Sequence, residues 1–188
     1  MSPSLAGSGA YGVALVGESL GEDEAYLGAP FVGLAGLKLT QLIGWAGLDR
    51  AKFDIWNTAW CRPPGNVFEG TAYEHPAINH CRAAHWNHLT ARVNVVVPMG
   101  NVALGAFTGR KGILAVRGYV APGPGTTHLL PTVHPSFIQR GQSKYSAAFI
   151  HDIQKAVELA RGGLPIQPTN YLLDPLPAQF AEWARGYQ

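Results

Sequence analysis

Four short, mostly apolar runs constrain this chain more than any other feature. They are residues 12–17 (GVALVG), 53–60 (FDIWNTAW), 94–99 (NVVVPM) and 128–134 (HLLPTVH). Each is too short for a typical helix, and each shows little of the alternation that marks a half-exposed strand. A strand without a polar side is covered on both faces, which is the condition inside a mainly parallel sheet. Between the runs, helical spacing recurs at 34–47, 74–92, 101–108 and 144–161. This alternation predicts an α/β chain, a three-layer α/β/α sandwich around a mainly parallel four-stranded sheet. Ligand sites in such sheets lie beyond the carboxyl ends of the strands, so the chemistry belongs just after each run.

Composition limits the alternatives. With 188 residues, of which 47% are hydrophobic, the chain can bury one full core. The expected globular domain is 1–162. Residues 163–188 then read as a glycine- and proline-rich linker with a C-terminal appendage, and that appendage could open a further domain fused to a DNA-processing protein. No apolar run approaches the roughly 18 to 20 residues of a membrane span, and no basic stretch precedes an apolar one near residue 1. The expectation is a cytoplasmic, nucleoid-associated monomer with no membrane partner. Two cysteines are too few for a disulfide framework.

The net charge of +2 conceals an asymmetry. All 12 acids lie at or before Glu74 or at or after Asp152, while Arg82, Arg92, Arg110, Lys111, Arg117, Arg140 and Lys144 occupy the interval between. A basic stretch of this kind suits a polyanionic partner.

The segments after the strands carry the candidate chemistry. Gly17-Glu18-Ser19 follows the first run, Asn57 ends the apolar part of the second, and His134-Pro135-Ser136 follows the fourth. A parallel sheet brings a carboxylate, a carboxamide and an imidazole to one edge, with Phe31 close by. The glycines of GSGAYG (7–12) fit a dinucleotide-binding spacing, but they precede the first strand instead of following one, so that reading is discarded.

Taken in order, GESLGEDEAYLGAPFVGLAG (17–36), NTAWCRPPGN (57–66) and HPSFIQRG (134–141) resemble the uracil-DNA glycosylase superfamily, and most closely its family 4, the iron-sulfur type. The resemblance covers roughly residues 12 to 160. It implies release of uracil from DNA by hydrolysis of the N-glycosidic bond, with uracil-containing DNA as partner. It also implies a role for each residue: Phe31 stacks on the extruded base, Asn57 reads its edge, and Gly17, Ser19 and Glu18 position water. Glu24, grouped with Glu18 and His134 as catalytic, lies near the C5 side of the base, where it helps to exclude thymine's methyl; His134 donates to uracil O2, and Ser136, Phe137, Ile138 and Arg140 form the loop that enters the duplex, with Phe137 or Ile138 as wedge and Arg140 as the grip on phosphate.

The chemistry of these residue types suits those tasks. A carboxamide can accept from uracil N3–H and donate to O4, whereas cytosine presents the reverse pattern. A donor aimed at O2 stabilises charge that grows as the bond breaks.

Three departures stand out. The family's cluster needs four cysteines, and only Cys61 and Cys81 match, so no cofactor is expected and an iron-sulfur cluster least of all. Cys61, Cys81, His85 and His88 offer an alternative zinc set, weighed against packed thiols and surface histidines. A related subgroup captures the uracil site covalently through a histidine after strand three, but Thr108–Ile113 contains none. Ser19-Leu20 replaces the usual Ala-Pro or Gly-Pro, which leaves open a glycosylase for another deaminated base. A non-catalytic uracil- or DNA-binding module fused to a nuclease or polymerase is the remaining alternative.

Overall fold

The computed structural model describes residues 7–163. The segment 164–188, expected as linker and appendage, lies outside them. The sheet has five strands: β1 (Val13–Gly17), β2 (Asp54–Asn57), β3 (Val95–Pro98), β4 (Ala121–Pro122) and β5 (His128–Leu129), in the order β2-β1-β3-β5-β4. The first four positions in that order are parallel, with Leu15 opposite Ile55 on one side and Val97 on the other. The fifth strand, β4, is antiparallel to β5 and was not expected from the sequence. Two residues are too few to leave a pattern.

The run at 128–134 is also only partly strand. Pro131 has no amide to give to a ladder, yet the amides of Leu130 and Thr132 still donate to the carbonyls of Val96 and Pro98, each at 3.0 Å. Thr132 bridges Met99. This extension carries the chain past the sheet and delivers His134 to its carboxyl edge.

The helices are α1 (Glu22–Leu27), α2 (Leu34–Trp45), α3 (Glu74–Thr90), α4 (Gly100–Thr108), α5 (Ile113–Val116), α6 (Pro135–Gln139) and α7 (Ser146–Ala160). Val13, Leu15, Val95 and Val97 face one way and pack on Leu39, Leu42 and Ile43 of α2 and on Phe149, Ile153 and Val157 of α7. Ala14, Val16 and Val96 face the other way, against Leu89 of α3 and Phe107 of α4. Helices on both faces make the three-layer sandwich. Each fully buried Val, Leu, Ile or Phe contributes roughly 1.5–3 kcal/mol relative to exposure, so this double-sided core fixes where the strand ends lie.

One polar group is built into that core. Asp152, fully buried on α7, accepts from Arg117 Nε at 3.0 Å, Arg117 Nη2 at 2.6 Å and Thr132 Oγ1 at 2.6 Å. With its acceptor oxygens satisfied, it ties α7 to the extended segment that leads to His134. No helix among the described residues is long and apolar enough to cross a membrane.

Candidate active site

The site begins where β1 and β2 end side by side, with Gly17 and Asn57 as cross-strand partners. A Cβ at position 17 would lie 2.4 Å from Phe31 Cζ and 2.6 Å from Asn57 Oδ1. Only glycine lets the aromatic ring and the carboxamide close over the strand end. The chain then turns into Glu18, whose carbonyl is held by the Thr58 hydroxyl at 2.5 Å and the Ala59 amide at 3.1 Å. With its main chain fixed in this way, the Glu18 side chain is directed into a cavity of about 450 Å³, lined also by Ser19, Phe31, Asn57, His134 and Arg140.

Phe31 reaches the cavity at a conformational cost. Its φ of 55° places a bulky residue in the left-handed region, which costs of order 1–3 kcal/mol and persists only where neighbours enforce it. A Cβ at Gly36 would sit 1.8 Å from the Phe31 carbonyl oxygen, so the first turns of α2 admit that carbonyl because residue 36 has no side chain. The same oxygen accepts from Arg50 Nη2 at 2.7 Å. The ring lies 5.6 Å, centroid to centroid, from the His134 imidazole.

His134 is the N-cap of α6, and its Nδ1 accepts from the Ser136 amide at 3.2 Å with the Ser136 hydroxyl at 2.8 Å. Nδ1 is thereby an acceptor, and the proton of the neutral ring falls on Nε2. Burial first and Arg140 second push His134 down to about 4, so the ring is neutral at physiological pH. Glu18 moves the other way, pushed up to about 7 by burial first and then by Glu69 and Glu74, against the pull of Arg140.

Several expectations change here. Glu24, grouped with the catalytic residues, lines the cavity but is buried, and its Oε1 accepts the Gly33 amide at 3.0 Å. Since Gly33 caps α2, this carboxylate fastens the loop that carries Phe31. Ser136, expected on DNA, is turned toward His134. Ile138 belongs to the main core, so of the two residues read as the wedge only Phe137 is partly accessible, packed beside Tyr145 at 5.4 Å. Arg140 is exposed at the cavity wall. Glu22 is largely exposed and pairs loosely with Arg62 at 3.3 Å.

The zinc alternative finds no ligand set. Among the described residues no three His, Cys, Asp or Glu side chains come together as a metal-binding group. Cys81 is buried and accepts the Trp60 amide at 3.4 Å, Cys61 is exposed, His85 is half-buried and His88 exposed. Partial desolvation and then the Cys81 sulfur push the Cys61 thiol up, so it is protonated at neutral pH. Cys61 and Cys81 supply two of the four thiolates that an iron-sulfur cluster takes.

Two residues escaped the sequence. Glu69, on the loop between β2 and α3, lines the cavity beside Glu18 and pairs with Lys111 at 3.7 Å. Arg50 grips Phe31 from a 3-10 turn at Arg50–Lys52. Neither contact leaves a spacing signal, because one crosses between loops and the other runs from a side chain to a main-chain carbonyl.

Comparison with known proteins bears on the whole arrangement. The family model described as "Uracil DNA glycosylase superfamily" matches residues 7–158. The type-4 uracil-DNA glycosylase of Thermotoga maritima is 37% identical over 147 residues, covering 77% of this chain and 75% of that protein. The type-4 enzyme of Archaeoglobus fulgidus is 46% identical over 92 residues, 48% of this chain and 44% of the relative. That of Sulfurisphaera tokodaii is 37% identical over 94 residues, 50% and 39%.

Proposed function

Because the chain belongs to the uracil-DNA glycosylase superfamily, we propose that the cavity at the carboxyl edge of its sheet is where uracil is cut from DNA. The activity is that of a hydrolytic DNA glycosylase acting in base excision repair. Water adds across the bond between the sugar C1′ and uracil N1, the hydroxyl goes to C1′ and the proton to the base, and an abasic site remains.

The observation that carries the assignment is the contact of the Ser136 amide and hydroxyl with His134 Nδ1. Ser136 takes up Nδ1, a neutral ring remains, and Nε2–H is the donor available to uracil O2. A preorganised neutral donor at that oxygen favours the departing uracil anion without having to lose a proton of its own. Phe31 offers the extruded base a flat face, and stacking of this kind contributes about 1–3 kcal/mol per base. Asn57 pairs with N3–H and O4. Glu18, when ionised, orients the attacking water and favours positive charge on the sugar. Glu24 serves by holding the Phe31 loop. Phe137 fills the space the base vacates and Arg140 grips phosphate.

The same chain is proposed to work without a cluster, since its two thiols do not make a ligand set. Incubation with a labelled uracil-containing oligonucleotide, single- or double-stranded, followed by alkali, should give cleavage at uracil alone. No cleavage at any protein concentration would contradict the assignment, and binding without base release would favour a recognition module instead. Protein purified without added metal should contain iron far below one equivalent and should lack charge-transfer absorption in the visible range. A stoichiometric iron content would overturn the cluster-free reading.

A further inference from the structure

We infer that Arg50 is a positioning residue for the base-stacking surface. It acts through the Phe31 carbonyl, and the inference rests on the reading that the cavity receives uracil. Phe31 presents its ring to the cavity only because its backbone is held in the left-handed region, at φ 55°. Nothing in the ring itself enforces that conformation, so the enforcement must come through the main chain.

Three contacts supply it. Arg50 Nη2 donates to the Phe31 carbonyl at 2.7 Å, Nη1 donates to the Gly36 carbonyl at 3.0 Å, and Nη1 also meets Thr40 Oγ1 at 2.5 Å. The planar guanidinium thus bridges the strained loop and the first turns of α2, which a single-point ammonium cannot do with the same geometry. All three partners are neutral acceptors, and burial pushes the Arg50 guanidinium down from its ordinary value. The far end of the loop is fastened separately, by Glu24 on the Gly33 amide.

Arg50 itself is anchored away from the site. Asp49 caps the turn by accepting the Ala51 amide at 2.9 Å, and the Asp49 amide donates to the Tyr11 hydroxyl at 3.2 Å. The turn is therefore a rigid base from which the arginine reaches back to Phe31. Loss of the fork frees the Phe31 peptide to relax, and the ring leaves its position over Gly17, where a Cβ would lie only 2.4 Å from it.

The test is a double-mutant cycle with a spectroscopic readout. Arg50→Met should lower kcat/KM on a uracil-containing oligonucleotide roughly tenfold, as loss of a charge-assisted hydrogen bond does, and Arg50→Lys should recover part of it. In a Phe31→Leu background, where no aromatic ring remains to be placed, the same Arg50→Met change should cost about twofold or less. Para-fluorophenylalanine at position 31 gives a fluorine resonance that should shift and broaden in Arg50→Met and return toward the parent in Arg50→Lys. Equal losses in both backgrounds, or an unmoved resonance in folded Arg50→Met, would overturn the inference. If Arg50→Met does not fold, Arg50→Gln replaces it with the same expectations. Failure of the unsubstituted protein to release uracil would refute the functional reading instead, and the fluorine resonance would still decide the role of Arg50.

Discussion

The two ends of the β1–β2 pair each hold a carboxylate that burial pushes upward, and the two have different fates. Glu18, at the carboxyl end, opens onto the cavity shared with Asn57, Phe31 and His134. Asp54, at the amino end, is fully buried, and neither of its oxygens has a hydrogen-bond partner among the described residues. Arg92 approaches it at 3.7 Å, and a Cβ at Gly9 would lie 2.8 Å from its Oδ2, so the Gly7–Gly12 turn seals it in. Desolvation alone therefore does not mark a functional acid. Access to a cavity lined by complementary groups distinguishes Glu18, and the same glycine-rich segment that matched a nucleotide-binding spacing serves at the other end as a lid.

The contrast can be broken at several points. The largest effect belongs to the donor: His134→Ala should lower kcat about 100- to 1,000-fold while leaving DNA affinity nearly intact, measured by single-turnover excision and by gel shift. Glu18→Gln comes next and should separate activity from stability. A carboxyl raised in the folded state favours folding below its unfolded value, and that contribution is lost as pH rises through about 7. The glutamine variant should thus melt higher than the parent at pH above about 7, by about 1–2 kcal/mol, with the gap closing in acid, while excision falls roughly 100-fold. Asp54→Asn follows the same sign in stability, more stable than the parent at neutral pH and equal to it in acid, but its excision rate should be unchanged. Equal losses of activity at the two ends would show that the distinction between them is false. The smallest effect is electrostatic. Glu69→Gln removes a charge that raises Glu18, so the pH at which activity rises should move lower by less than about one unit.

Much of this arrangement was legible in the sequence. GVALVG and the valines of β3 announce doubly covered strands, and the segments after them hold Glu18, Asn57 and His134 at one edge. The fifth strand was illegible because two residues, one of them Pro122, carry no period. Helix α6 was hidden within HPSFIQ, where five residues cannot display an amphipathic repeat, so Ile138 could not be separated from Phe137 before its burial was seen. Ser136 and Glu24 were found as positions, but their contacts within the protein were not, since hydrogen bonds to Nδ1 and to the Gly33 amide depend on local chain geometry. Arg50 and Glu69 were missed altogether, each acting across a loop junction with no residue pattern to announce it.

The most direct measurement is the pH dependence of free uracil released from DNA, in single turnover between about pH 5 and 9, by the parent and by Glu18→Gln. The parent should release uracil with a rate that rises through about pH 7 as Glu18 ionises, while His134, neutral above about 4, contributes no step in that range. The glutamine variant should be slow and flat. Absence of uracil from the parent, or the same rise in the variant, would contradict the account.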